Sequence, residues 1–119
     1  MPNEDWPPKD GDITHMIERL DALEEREGVR FESLYALFFT GTDGSPYVRV
    51  CGEVHARDGL EIAHQLKVAV AAYDTKGRVL NTGESWVAAP EKFYGFQAFM
   101  IQLNAPGPIG KVRLYPQRS

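Results

Sequence analysis

The stretch Leu66–Ser85 (LKVAVAAYDTKGRVLNTGES) most constrains the fold of this 119-residue chain. Val68, Val70 and Ala72 alternate with Lys67, Ala69, Ala71 and Tyr73, the period of two of a β-strand. The alternation stops at Asp74-Thr75-Lys76-Gly77. Asp suits the first position of a type I turn, and Gly supplies the positive φ that follows it. Apolar residues resume at Val79 and Leu80, so the stretch predicts strand, tight turn, strand.

The rest of the chain from Phe31 reads as β in the same way. Leu34–Thr40 (LYALFFT) is apolar on both faces and predicts a strand buried on both sides. In Tyr47–His55, Val48, Val50 and Val54 share one face, and Tyr47, Arg49, Cys51, Glu53 and His55 the other. Gly52 falls on the valine face, where a neighbour can approach closely. The next turn is Arg57-Asp58-Gly59. A three-residue hairpin loop there sets Val54 opposite Ile62 and Val50 opposite Leu66, whereas a two-residue loop joins core to solvent face. Phe93–Leu103 and Ile109–Tyr115 complete the strands, and Pro116 is expected to end the last.

Before the strands lies one helical pattern. Ile13, Met16, Ile17, Leu20 and Leu23 recur at spacings of three and four, which predicts an amphipathic helix over 12–27. Asp12 is its N-cap and Gly28 its C′ residue in this reading. Its acidic face is expected in solvent, and its stripe packs on its own sheet or on a second copy. Residues 1–11, with Pro2, Pro7, Pro8 and Gly11, read as a flexible lead-in, in which Trp6 docks on its own domain or on a partner. The expected organisation is a single domain over 12–119, mainly β. Its fold is an antiparallel immunoglobulin-like β-sandwich of six to seven strands with one N-terminal amphipathic helix.

The strand order and motifs resemble the FxLYD-type domain, a bacterial immunoglobulin-like sandwich. Val50, Gly52, Glu53 and Val54 match its first motif. Ala72, Tyr73, Asp74, Gly77 and Val79 match its second, with Ala72 in place of the motif's Leu and Ala56 in place of its Asn. Phe99, Ile101, Leu103, Val112 and Leu114 fit its closing strands. The resemblance spans about residues 47–115. It implies a fold and no catalytic site.

Composition narrows the function classes. With 13 Lys and Arg against 17 Asp and Glu, and no basic cluster, nucleic acid is not an expected partner. No apolar run approaches the ~20 residues of a membrane helix. The polar, acidic start lacks a signal-peptide pattern, so the expected setting is cytoplasmic. Cys51 is the single cysteine and reads as an inert structural thiol.

Cys51, Glu53 and His55 share a strand face, but four residues of strand separate Cys51 from His55 by ~13 Å, too far for a nucleophile–base pair. His15, His55 and His64 do not converge in this reading. His15 and His55 are expected at the surface and His64 in the core at a strand end. No metal, cofactor or catalytic set is therefore expected. The aromatics carry more. If Phe93, Phe99, Ile101 and Leu103 face inward, Tyr94, Phe96, Ala98 and Met100 form a second apolar face. Its cover is the helix, a second copy or a separate partner. The expected function is a non-catalytic module for protein–protein contact, self-association included. The alternative is a small-ligand or carbohydrate-binding sandwich built on Trp86 and Tyr94. The candidate interaction surface is Trp86, Tyr94, Phe96, Met100, Met16 and Leu20.

Overall fold

The computed structural model describes residues 6–119. Seven strands build two sheets around one apolar core. They are β1 (Ile17–Arg19), β2 (Val29–Thr40), β3 (Pro46–Ala56), β4 (Leu66–Asp74), β5 (Val79–Trp86), β6 (Phe96–Asn104) and β7 (Ile109–Arg118). One sheet has the order β1-β7-β4-β5, the other β2-β3-β6. All pairs are antiparallel except β1–β7. Val68, Val70, Ala72, Val112 and Leu114 from the first sheet meet Val48, Val50, Val54, Phe99 and Ile101 from the second.

The β4–β5 hairpin forms as its turn residues predict. Gly77 has φ +81°, and its N–H donates to Asp74 O at 3.0 Å. The Asp74 carboxylate accepts from the backbone N–H groups of Lys76 and Arg78.

The helix over 12–27 is replaced by three short pieces. Thr14–Met16 is a 3-10 turn, Ile17–Arg19 is β1, and only Asp21–Arg26 (α1) is α-helical. Of the two capping signals, Gly28 holds and Asp12 does not, since the N-cap of the 3-10 turn is Ile13 and Asp12 makes a local Asx turn instead. Asp12 Oδ1 accepts from Thr14 N–H at 2.9 Å, and Gly28 ends α1 with φ +72°. Tertiary pairing overrides the helical periodicity, because β1 extends the sheet along β7 and sets Glu18 beside Arg113 at 2.7 Å. The acidic face is also not wholly solvated. Glu24 and Glu27 are buried.

The 57–65 segment is a crossing between sheets rather than a hairpin. Gly59 is left-handed, with φ +94°. Yet Val54 lies opposite Phe31 and Gln97, and Val50 opposite Ala36 and Ile101. Both sheets of a sandwich bury alternate residues, so face parity alone cannot distinguish a hairpin from a change of sheet. His64 sits on this crossing and is exposed, not in the core.

Strand β7 continues through Pro116 to Arg118. Pro116 occupies the non-hydrogen-bonded position opposite Val68, because Ser119 N–H donates to Gln65 O in the same register. Its missing N–H therefore faces away from β4, beyond the reach of β1. Strand β6 starts at Phe96, not Phe93. A 3-10 turn at Pro90–Lys92 and Gly95, with φ +97°, precede it.

The N-terminal segment closes one side of the sandwich. Trp6 packs on Phe38 with ring centroids 4.7 Å apart. Gly11 O accepts from Phe38 N–H at 2.7 Å, and Asp12 bridges to Leu37. Trp6–Gly11 is thus docked rather than a free lead-in, and Met1–Asp5 lie outside the described residues.

Buried Glu27 ties the end of α1 to the end of β7, accepting from Arg118 Nε at 2.9 Å and Arg26 Nε at 3.1 Å. Burial alone would raise its pKa. The guanidinium hydrogen bonds of Arg118 and Arg26 together hold it below the ordinary glutamate value of 4.5. Its contribution to stability is complete above the unfolded value and is lost as pH falls through the lower folded one. Glu18, Glu32, Asp58 and Asp74 shift in the same direction through their own hydrogen bonds. We expect a melting temperature that is flat from neutral pH to about pH 5 and falls steadily below it. Thermal melts by circular dichroism check this, and a melting temperature unchanged at about pH 3 would contradict it.

Candidate functional site

A bulge in β2 sets which side chains reach the outer face of the three-stranded sheet. Ser33 and Leu34 together oppose Gly52, with Ser33 at φ +56°. The extra residue switches the alternation. Phe31 points inward before it, and Ala36 and Phe38 after it, so Tyr35, Leu37 and Phe39 turn outward.

The three strands bring these side chains into rows. Tyr35, Cys51 and Met100 share one register line, and Leu37, Arg49 and Gln102 the next. Tyr35 is 45% exposed, Phe96 56% and Met100 59%. Cys51 is buried beside Tyr35. Proximity to the Cys51 thiol raises the Tyr35 pKa above its ordinary value. Arg49 lies over the Phe39 ring at 4.8 Å and donates to Gln102 Oε1. At the other end His55 stacks on Phe96 with centroids 5.3 Å apart, and His55 Nε2 lies 2.9 Å from Glu53 Oε1. Glu32 pairs with Arg30 there. The face is thus one apolar row, Tyr35–Cys51–Met100, with the Leu37–Arg49–Gln102 row on one side and the Glu32–Glu53–Ala98 row on the other, beyond which Phe96 stacks on His55.

The outer face of the other sheet differs in kind. It carries ion pairs: Glu18 with Arg113 at 2.7 Å and with Lys111 at 3.6 Å, and Lys67 with Glu84 at 3.1 Å.

The six candidate residues do not form one surface. Phe96 and Met100 lie together on β6, as their alternation predicts. Tyr94 is 83% exposed and lines a cavity of about 410 Å³ with Leu60, Ile62 and Phe93; Trp86 is not part of its lining. Trp86 is exposed on β5, with Lys67 Nζ 4.7 Å from its ring centroid. Met16 packs against the core, and half-buried Leu20 precedes α1. Tyr35 belongs with Phe96 and Met100, yet only the bulge reveals its direction. A two-sided apolar run in the sequence conceals that switch.

The backbone of β6 adds a second feature. Gly95 O accepts from Ala56 N–H at one end, and Ala105 N–H donates to Pro46 O at the other. Alternation then turns the N–H and C=O groups of Gln97, Phe99, Ile101 and Leu103 towards β3, and those of Phe96, Ala98, Met100 and Gln102 away from it. Among the described residues no strand pairs with that side.

Among the described residues no group of three His, Cys, Asp or Glu side chains is placed to hold a metal ion, and no helix is long and apolar enough to cross a membrane. Comparison with family models, with curated proteins and with solved structures finds no match for this chain.

Proposed function

We propose that this chain is a non-catalytic module that works by protein–protein contact, self-association included, through the outer face of β2-β3-β6. One observation carries the reading: Tyr35 and Met100 stand exposed on either side of Cys51, and Phe96 stands exposed further along β6 beyond the Glu53–Ala98 row, on a face that no described segment covers. Exposed large apolar side chains clustered on one sheet face mark interaction sites. Exposed aromatic and Met side chains are also enriched where partners bury them. An immunoglobulin-like description of the two sheets, the FxLYD-type resemblance over about 47–115, and a cytoplasmic setting belong to the same reading. The Asp74–Gly77 turn, the approach at Gly52 and the lone Cys51 thiol support it.

Sedimentation velocity from about 10 µM to about 1 mM tests the proposal. The wild-type chain is expected to associate. The triple variant Tyr35→Ser/Phe96→Ser/Met100→Ser is expected to lose at least about tenfold in affinity, while its melting temperature shifts little because the side chains are exposed. Association that survives all three substitutions would overturn the use of this face. In the carbohydrate alternative Trp86 supplies a stacking surface, but Lys67 already lies over that ring. A shift of tryptophan emission on titration with soluble glycans would favour it instead.

A further inference from the structure

The two sheets end in four edge strands, β1, β5, β2 and β6. Natural edges are blunted by shortness, by cover or by charge, because a bare edge is a template for another strand. β1 is three residues long. Three outward N–H groups of β2 are occupied. Phe31 donates to Glu24 Oε1, Ala36 to Thr14 Oγ1 and Phe38 to Gly11 O. β5 presents Glu84 at its edge. Along Phe96–Gln102 β6 has none of these devices among the described residues; only at its end is an outward group taken, the Asn104 carbonyl accepting from Asn81 Nδ2 at 2.8 Å. Its nine residues, FQAFMIQLN, contain no charge, no Pro and no Gly.

From this contrast we infer that β6 is a strand-addition edge whose partner is β6 of a second copy, paired antiparallel about a two-fold axis. The inference rests on the protein-contact reading above and names its partner. An extended backbone is the one ligand that satisfies the outward N–H and C=O groups of Phe96, Ala98, Met100 and Gln102 together. Charge selects the second copy. An acidic or basic partner strand finds no countercharge on β6, whereas two copies of this uncharged strand meet without like-charge opposition. An antiparallel two-fold pairing sets Met100 against Met100 or Ala98 of the other copy. It also joins two three-stranded sheets into one of six, so that the apolar outer faces run on across the axis.

Backbone hydrogen exchange and sedimentation on the whole chain test this. The outward amides of Ala98, Met100 and Gln102 are expected to gain protection as protein concentration rises, while those of Phe99 and Ile101 are protected throughout. Ala98→Pro removes only an outward N–H and leaves the ladder to β3 whole. It is expected to weaken association at least about tenfold with the melting temperature of the monomer preserved. Ala98→Lys, which keeps the N–H and adds an edge charge, is expected to act in the same direction. A chain that remains monomeric at about 1 mM overturns the inference. A dimer whose outward β6 amides exchange freely, and which the triple serine variant dissociates, also overturns it while leaving the protein-contact reading standing. A dimer that neither Ala98→Pro nor the triple variant disturbs overturns both.

Discussion

Replacing Glu24 with alanine is expected to lower stability by about 3 kcal/mol, and the melting temperature by about 10 °C. Glu24 is the most consequential carboxylate in the molecule because it is fully buried and holds two elements at once. Its Oε1 accepts from Arg19 Nη2 at 2.7 Å and from Phe31 N–H at 3.0 Å. Phe31 sits opposite Val54 at a position whose N–H points out of the sheet, since Arg57 N–H donates to Gly28 O in the same register. Without the carboxylate that buried N–H has no partner, which costs about 1–3 kcal/mol. Arg19 loses its ion pair but keeps 40% side-chain exposure, so water recovers part of that loss. For this reason the expected figure lies at the low end of what breaking a buried ion pair costs. Glu24→Gln retains an acceptor for Phe31 and should cost only about 1 kcal/mol. Urea unfolding of the two variants separates the contributions. A Glu24→Ala protein within about 1 kcal/mol of wild type would show that the side chain does not cap the edge of β2.

What can be read in this sequence is set by how local each cause is. The β4–β5 hairpin is legible because Asp74 and Gly77 encode a turn within four residues. The alternation in β3 and β6 is legible for the same reason, so the outward direction of Phe96 and Met100 follows from their spacing alone. The 12–27 segment misleads because Ile13, Met16 and Ile17 satisfy a helical period, while the pairing that decides their fate lies at Val112–Leu114, about a hundred residues away. Glu24 and Glu27 look like solvated charges because their partners are not visible from spacing. Arg19 is five residues from Glu24, off the helical neighbour positions, and Arg118 is at the far end of the chain. The direction of Tyr35 is hidden by the bulge, which no period-two reading of LYALFFT can detect.

That bulge is also where the second large effect is expected. Gly52→Ala should destabilise the protein by about 2 kcal/mol. A Cβ at Gly52 would lie 2.5 Å from Leu34 Cδ2, 3.2 Å from Glu32 O and 3.2 Å from Phe99 Cζ. The Leu34 methyl can swing aside. The Glu32 carbonyl cannot, because Glu32 is paired with Glu53 in the ladder. Two parts of the cost are therefore separable. Leu34→Ala alone removes a half-buried side chain packed on the core and should cost about 1 kcal/mol. Combined with Gly52→Ala it also clears the closest clash. The double variant is then expected to be about 1 kcal/mol more stable than the sum of the single effects predicts. Strict additivity in urea unfolding would mean that Leu34 does not press on Gly52, and would remove the packing reason for glycine on the valine face. If the coupling is found, it ties that glycine to the bulge that turns Tyr35, Leu37 and Phe39 outward. The composition of the proposed contact face is then fixed by an event in the core, not by selection of outward residues alone.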